Sequence, residues 1–365
     1  MKTGLRFSQT VMKRGSSMKK NVAIVGFGGM GGWHSDYILG SDVVNLSGVF
    51  DIRPERMELA RQKGISVYES FETVLDDPSV DIVLCATPND VHPEIVIRAL
   101  RAGKHAISEK PVCIGSKALG EMIAASEESG KLFTVHQNRR WDGDFLAMEK
   151  VYLSGILGDV FNIESRVQGS HGIPGDWRGQ KQHGGGMMLD WGVHLIDQAF
   201  RMIEEKAVKI YARMDHITNY EVDDGFKMEI LFESGKRYFI EVGTSNFITL
   251  PRWYMQGENG TALIPHWKVS EGQIVCCENW KQENVVPVKT AAGLTKTMAP
   301  RDKDTVRTHQ MEDVDSDVHD FYRNFCRAID GAEPQLITHP QMMRVMKAME
   351  AAFESDRIGA PVNFE

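Results

Sequence analysis

Asp190 and His194 stand four residues apart behind the run Gly184-Gly185-Gly186. On a helix, that spacing puts both side chains on one face. An imidazole titrates near neutral pH, so His194 is suited to exchanging a proton with a substrate hydroxyl. A carboxylate one turn away is expected to orient the ring and favour its protonated form. The same types also suit a plain helix start, with Asp190 as cap and His194 packed in the core. The segment alone leaves both readings open.

A second candidate is Lys110, in Glu109-Lys110-Pro111 at the end of a short apolar strand, residues 105–108. Pro111 biases Lys110 toward an extended conformation and ends the strand. An earlier buried strand, 81–85, runs into Ala86-Thr87-Pro88-Asn89-Asp90-Val91-His92. In doubly wound sheets, ligands bind at the carboxyl ends of the strands, so Thr87, Asn89, His92 and Lys110 share the ligand-facing edge.

The elements holding these groups begin with a strand over 21–25 that enters Gly26-Phe27-Gly28-Gly29-Met30-Gly31. A helix over 32–39 and a second strand over 43–50 follow. Gly26 permits the tight turn, Gly28 lets a pyrophosphate approach, and Gly31 allows close helix–strand packing. The helix start then offers free N–H groups to phosphates. Asp51 ends the second strand, where an acid is expected on the adenosine ribose hydroxyls. It would repel a 2′-phosphate and so favours NAD over NADP, although Arg53 nearby tempers that preference. Helices over 53–63, 71–76 and 93–102 continue the alternation.

The totals bound the class. At 365 residues there is room for two domains, and hydrophobic residues at 42% with charged residues at 25% describe an ordinary globular protein. A net charge of −8 argues against nucleic acid or an anionic membrane as main partner. No apolar run is long enough to span a bilayer. The five cysteines have no zinc-like spacing and fit reduced thiols in the cytoplasm, and no metal site is expected. Residues 1–18 are basic and acid-free and read as a flexible extension.

Together VAIVGFGGMG, CATPNDVHPEIVIRALRAGKHAISEKP, NRRWDGDF, GGGMMLDWGVHLID and FYRNFCRAIDGAEP, in this order, resemble the Gfo/Idh/MocA family. That family is named for glucose–fructose oxidoreductase and inositol dehydrogenase. The resemblance covers nearly the whole chain from about Lys19. It implies a catalytic lysine, matched by Lys110, and an aspartate–histidine pair, matched by Asp190 and His194. Glu109 of the Glu-Lys-Pro motif joins Lys110 and the glycine loop as a candidate for coenzyme contact.

The expected fold is α/β. A Rossmann domain at 19–141 precedes an α+β domain at 142–365 with a large, open, mostly antiparallel sheet. Strands are expected over 160–169, 208–214, 226–232, 238–244 and 253–257, the alternation at 226–230 showing one buried face. Residues 290–317 read as a long loop, and 318–329 and 341–353 as amphipathic helices. An open apolar sheet face predicts a homo-oligomer. Trp177 and Arg178 are candidates for coenzyme contact; Trp177, Asn138 and Arg140 are candidates for substrate contact. His136, His171 and His183 fall near the domain junction without an assigned role.

The resulting expectation is hydride exchange between a secondary hydroxyl of a sugar, inositol or glycoside and a nicotinamide. His194 acts as base, Lys110 steadies the oxygen and Asp190 orients His194. Redox-neutral glycoside cleavage through a keto-sugar, oxidation of an intact glycoside at ring C3, and non-catalytic nicotinamide sensing are the alternatives.

Overall fold

A computed structural model of the chain describes residues 18–277 and 285–365. The expected flexible extension, apart from Met18, lies outside the described residues. The first domain is built from β1 (Lys20–Val25), α1 (Gly29–Leu39), β2 (Val44–Phe50), α2 (Pro54–Gln62), α3 (Phe71–Asp76), β3 (Ile82–Cys85), α4 (His92–Arg101), β4 (His105–Ser108), α5 (Ser116–Ser129) and β5 (Phe133–Val135). Its five strands are all parallel, in the order β2-β1-β3-β4-β5. Both faces of this sheet are covered, so Val22–Val25 and Ile82–Cys85 are fully apolar and buried. Local chemistry sets several helix starts. Pro54 opens α2, and Ser70 and Thr73 form a reciprocal capping box on α3.

The second domain continues with α6 (Gly143–Ser154), β6 (Val160–Gln168), α7 (Val193–Met202), β7 (Ala207–Asp215), β8 (Gly225–Phe232), β9 (Arg237–Gly243), β10 (Trp253–Gly257), β11 (Gly260–Ile264) and β12 (Gln273–Cys277). After the hairpin β13 (Val288–Thr290) and β14 (Gly293–Thr295) come β15 (Val306–Gln310), α8 (Asp320–Ile329), α9 (His339–Ile358) and β16 (Val362–Asn363). One sheet runs β15-β12-β11-β10-β6-β9-β8-β7-β16, antiparallel except at the β6–β9 pair. On β8, Phe226, Met228, Ile230 and Phe232 are buried while Lys227 is exposed, which is the alternation expected of a half-covered sheet.

Two expectations need correction. The 290–317 segment is not one long loop, because β14 lies within it and β15 pairs with β12 from Gln273↔Gln310 to Cys277↔Val306. That strand is at the sheet edge and almost wholly exposed, so no apolar alternation marks it. The first helix starts at Gly29 rather than Gly32, which brings the last glycines of the motif inside it.

The last helices close back on the first domain. Tyr322 of α8 hydrogen-bonds His34 of α1, and Arg323 pairs with Asp42. Helix α9 packs along β7 and against α5 and α7.

Candidate active site

The glycine loop is a cradle. Gly26 has φ +95°, and a Cβ there would lie 2.6 Å from the Ala86 carbonyl oxygen. A Cβ on Gly31 would come within 2.0 Å of the Gly26 oxygen, so this glycine is what lets α1 pack on the loop. Gly28 and Gly29 face open space. Helix α1 has no acid in its first turn and no side-chain cap, so its leading N–H groups stay available to an anion. Asp51 Oδ2 accepts the Phe27 N–H at 2.7 Å, and Oδ1 accepts the Arg53 N–H at 2.9 Å. The half-exposed Arg53 guanidinium lies 3.6 Å from the same carboxylate. These residues suit a dinucleotide, with Met30 and the loop backbone lining the same turn.

Thr87, Asn89 and His92 build the adjoining turn. Asn89 donates to the Gly184 carbonyl at 2.9 Å, tying the first domain to the glycine run of the second. His92 does not face the cleft as expected. It is fully buried, its ring nitrogens 2.9 Å from the Thr87 oxygen and 3.1 Å from the Pro111 oxygen, so it braces two turns.

Glu109 is likewise buried, with both carboxylate oxygens engaged. Oε1 accepts from His34 Nε2 at 2.7 Å and His136 Nδ1 at 2.8 Å, while Oε2 accepts the Lys110 N–H at 3.0 Å. Although burial raises its pKa, the two imidazoles outweigh that and hold the carboxyl well below the usual range. His34 is driven down to about 4, mainly by burial and next by His136. A neutral His34 donates from Nε2 and accepts from the Tyr322 hydroxyl at Nδ1. The three ligand-type atoms lie within 4.8 Å of one another, and hydrogen-bond lengths account for that approach. Glu109 thus anchors the backbone of Lys110.

Lys110 crosses to the second domain. Its Nζ donates to Asp190 Oδ1 at 2.9 Å and to the Asp190 carbonyl at 3.0 Å. Arg178 Nε approaches Asp190 Oδ2 at 3.4 Å, with its guanidinium 4.6 Å over the Trp177 ring. Burial raises the Asp190 pKa, but Lys110 and Arg178 together bring it below the ordinary value.

The expected Asp190–His194 partnership is not what forms. Residues Met188–Gly192 make a π turn before α7. Its wider winding departs from the α spacing, and Asp190 turns to Lys110 and Arg178. His194 Nδ1 is buried with no partner among the described residues. Burial, Lys110 and Arg139 depress its pKa well below 6.5, so the ring is neutral rather than charged at pH 7.

Arg140 is also corrected. It is buried and forked onto Asp197 at 2.6 and 2.7 Å, with further bonds to the Leu336 carbonyl and Gln341, which engage its five N–H groups. It supports the domain junction instead of a ligand. Asn138 sits in the same 3₁₀ turn as Arg140, its Oδ1 buried and without a partner among the described residues.

Asp223 carried no signal in the sequence. Its Oδ2 accepts the Met188 N–H at 2.7 Å and its carbonyl accepts the Met187 N–H at 2.9 Å, fixing the start of the π turn. Burial pushes this carboxyl up to about 7. Arg139 was also unmarked, yet it lies 4.0 Å over Trp191 beside the site.

Residues 20–137 match the family model described as an oxidoreductase family with an NAD-binding Rossmann fold. Residues 145–263 match the C-terminal domain model of the same family. The chain belongs to the Gfo/Idh/MocA oxidoreductases. A crystal structure of an NAD-binding protein from Listeria innocua is 43% identical, with TM-score 0.91 over 94% of this chain and 99% of that one. The scyllo-inositol 2-dehydrogenase (NADP(+)) IolW of Bacillus subtilis is 26% identical over 352 residues, 92% of this chain and 93% of that protein. An uncharacterised oxidoreductase of Schizosaccharomyces pombe is 36% identical over 169 residues. That match spans 45% of this chain and only 46% of the yeast relative. This oxidoreductase has no helix, among the described residues, long and apolar enough to cross a membrane.

Proposed function

We propose that the protein is an NAD-preferring dehydrogenase that oxidises a secondary hydroxyl of a sugar, inositol or glycoside, or reduces the matching ketone. The observation that carries this reading is the convergence of Lys110 from the first domain with Asp190 and His194 from the second. A nicotinamide dinucleotide held by the glycine loop and Asp51 would supply the hydride acceptor or donor.

The chain's own residues then supply the proton chemistry. His194 is neutral at pH 7, so it is ready to take the hydroxyl proton, and burial of Nδ1 leaves Nε2 for that role. The Lys110 ammonium donates a hydrogen bond to the alcohol oxygen and stabilises the negative charge that grows there. Asp190 holds Lys110 in place through two contacts. Asp51 at the loop supports NAD over NADP, because a 2′-phosphate there would meet a carboxylate. Asn138, Trp177 and Arg178 are proposed to line the same cleft. The half-covered second sheet supports a homo-oligomer.

A polyol and sugar panel with NAD and NADP, read as reduced nicotinamide, tests the assignment. His194→Ala and Lys110→Ala should each lower kcat on the order of 10²- to 10⁴-fold while NADH still binds. Unchanged turnover in either variant sinks the mechanism. Glycoside cleavage with no net NADH points to the redox-neutral reaction.

A further inference from the structure

Beside the Lys110–Asp190–His194 group stands an aromatic wall that the proton chemistry does not use. Trp191 sits in sequence between Asp190 and His194, and its ring meets the His194 ring edge-on at 6.0 Å. Trp267, on the loop joining β11 to β12, lies 6.0 Å from Trp191. Guanidinium groups interleave the indoles. Arg139 lies 4.0 Å over Trp191 and 5.8 Å from Trp267, and Arg252 lies 4.9 Å from Trp267 and 4.8 Å from Trp253.

The ladder is anchored from below. Arg252 is buried, pairing with Asp144 at 3.0 Å and donating to Ser165 at 2.7 Å. Trp253 is fully buried and donates its indole N–H to Asp144 at 2.8 Å. Arg139 is fastened to Asp142 at 2.8 Å. Trp267 is nevertheless 51% exposed. A large indole is therefore fixed in place by cation–π contacts while much of its surface meets water. Ordering it further on ligand binding has little entropic cost.

A pyranose ring has an apolar face of axial C–H bonds and a rim of hydroxyls. The first packs against an indole, and the oxygens of the second accept hydrogen bonds from a guanidinium edge. Free inositol or a free monosaccharide placed at His194 has no second ring with which to reach Trp267. We infer that Trp191 and Trp267, flanked by Arg139, form a second subsite that holds the sugar ring glycosidically linked to the one being oxidised. The preferred substrates are accordingly glycosides or disaccharides rather than free polyols. This rests on the dehydrogenase reading and narrows its substrate class.

The test compares myo-inositol and D-glucose with cellobiose and maltose, using the full chain with NAD. Wild type and the variants Trp267→Ala and Trp267→Phe are assayed for kcat/KM. Disaccharide binding to the NADH-loaded protein is measured separately by calorimetry. In Trp267→Ala, kcat/KM for disaccharides should fall on the order of 10- to 100-fold, mainly through KM, with a matching loss in calorimetric affinity. Activity on inositol or glucose should stay within about twofold of wild type, a change of under 0.5 kcal/mol. Trp267→Phe, which keeps an aromatic face, should recover much of the loss. Equal loss on both substrate groups overturns the subsite, as does no loss on either or a change of oligomeric state in Trp267→Ala. Wild-type oxidation of inositol with no measurable disaccharide binding overturns the subsite alone. Absence of NADH from every substrate, with disaccharide binding intact and dependent on Trp267, overturns the dehydrogenase reading instead.

Discussion

Lys110 and Asp190 are bonded twice, side chain to side chain and side chain to backbone, across the boundary between the domains. The lysine's position therefore depends on the aspartate, and the aspartate's charge is offset by the lysine and Arg178. Asp190→Asn removes the charge but keeps an oxygen, and Lys110→Met removes the ammonium but keeps the stem. If the two work as one unit, each single change lowers kcat/KM and the double variant is little worse than the poorer single. An interaction energy in the range of about 0.5–3 kcal/mol is expected from the cycle. Strict additivity would show that Asp190 acts on something other than Lys110.

Two glycines of the same loop should respond in opposite ways. Gly31→Ala forces a Cβ to within 2.0 Å of the Gly26 oxygen, a backbone atom that cannot swing aside. Overpacking of this kind costs about 1–3 kcal/mol, read as a lower denaturation midpoint. Gly28→Ala meets nothing within 4 Å, so stability should change by no more than about 0.5 kcal/mol. In the glycine motif, however, this position is kept bare so that a pyrophosphate can approach the backbone, and a methyl would obstruct it. NADH affinity should drop by about tenfold or more, equivalent to 1.4 kcal/mol. Equal stability losses in the two variants, or unaltered NADH binding in Gly28→Ala, would contradict these separate roles.

The first domain was legible because its signals are local. A parallel strand buried on both faces reads as an apolar run, and the glycine motif follows β1 directly. The partners of Asp190 were not legible, because the α spacing is broken by a π turn. That turn is secured by Asp223, thirty-five residues away from Met188. Arg140 misled for a similar reason. Its pairing with Asp197 is a long-range contact, and nothing in NRRW marks one arginine as buried. Helix α5 escaped notice because its buried stripe, Leu119, Met122, Ala125 and Ser126, includes small and polar residues that blur the period. The Glu109 cluster draws on α1, β4, the end of β5 and α8, so only folding brings it together.

That cluster makes the protein sensitive to acid, and the sign can be worked out. His34 has a folded pKa of about 4 against an ordinary 6.5, chiefly because burial disfavours its charged form. Between those values the unfolded chain binds the proton and the folded chain does not, so stability falls as pH drops from 6.5 through 4. Glu109, held low by His136 and His34, acts in the same direction below the usual carboxylate value of 4.5. His105, also near 4 through burial, adds to the slope outside the cluster. The His34 contribution alone is on the order of 3 kcal/mol over that window. Urea unfolding at pH 7 and pH 4.5 should show a marked loss in wild type. His34→Gln keeps an amide donor toward Glu109 but cannot titrate, so its loss between the two pH values should be smaller by most of that amount. His105 remains in both proteins and cancels in the comparison, and Glu109 acts mainly below the pH range compared. Parallel losses in wild type and variant would mean that His34 does not titrate on unfolding, and the neutral imidazole assigned to it would be wrong.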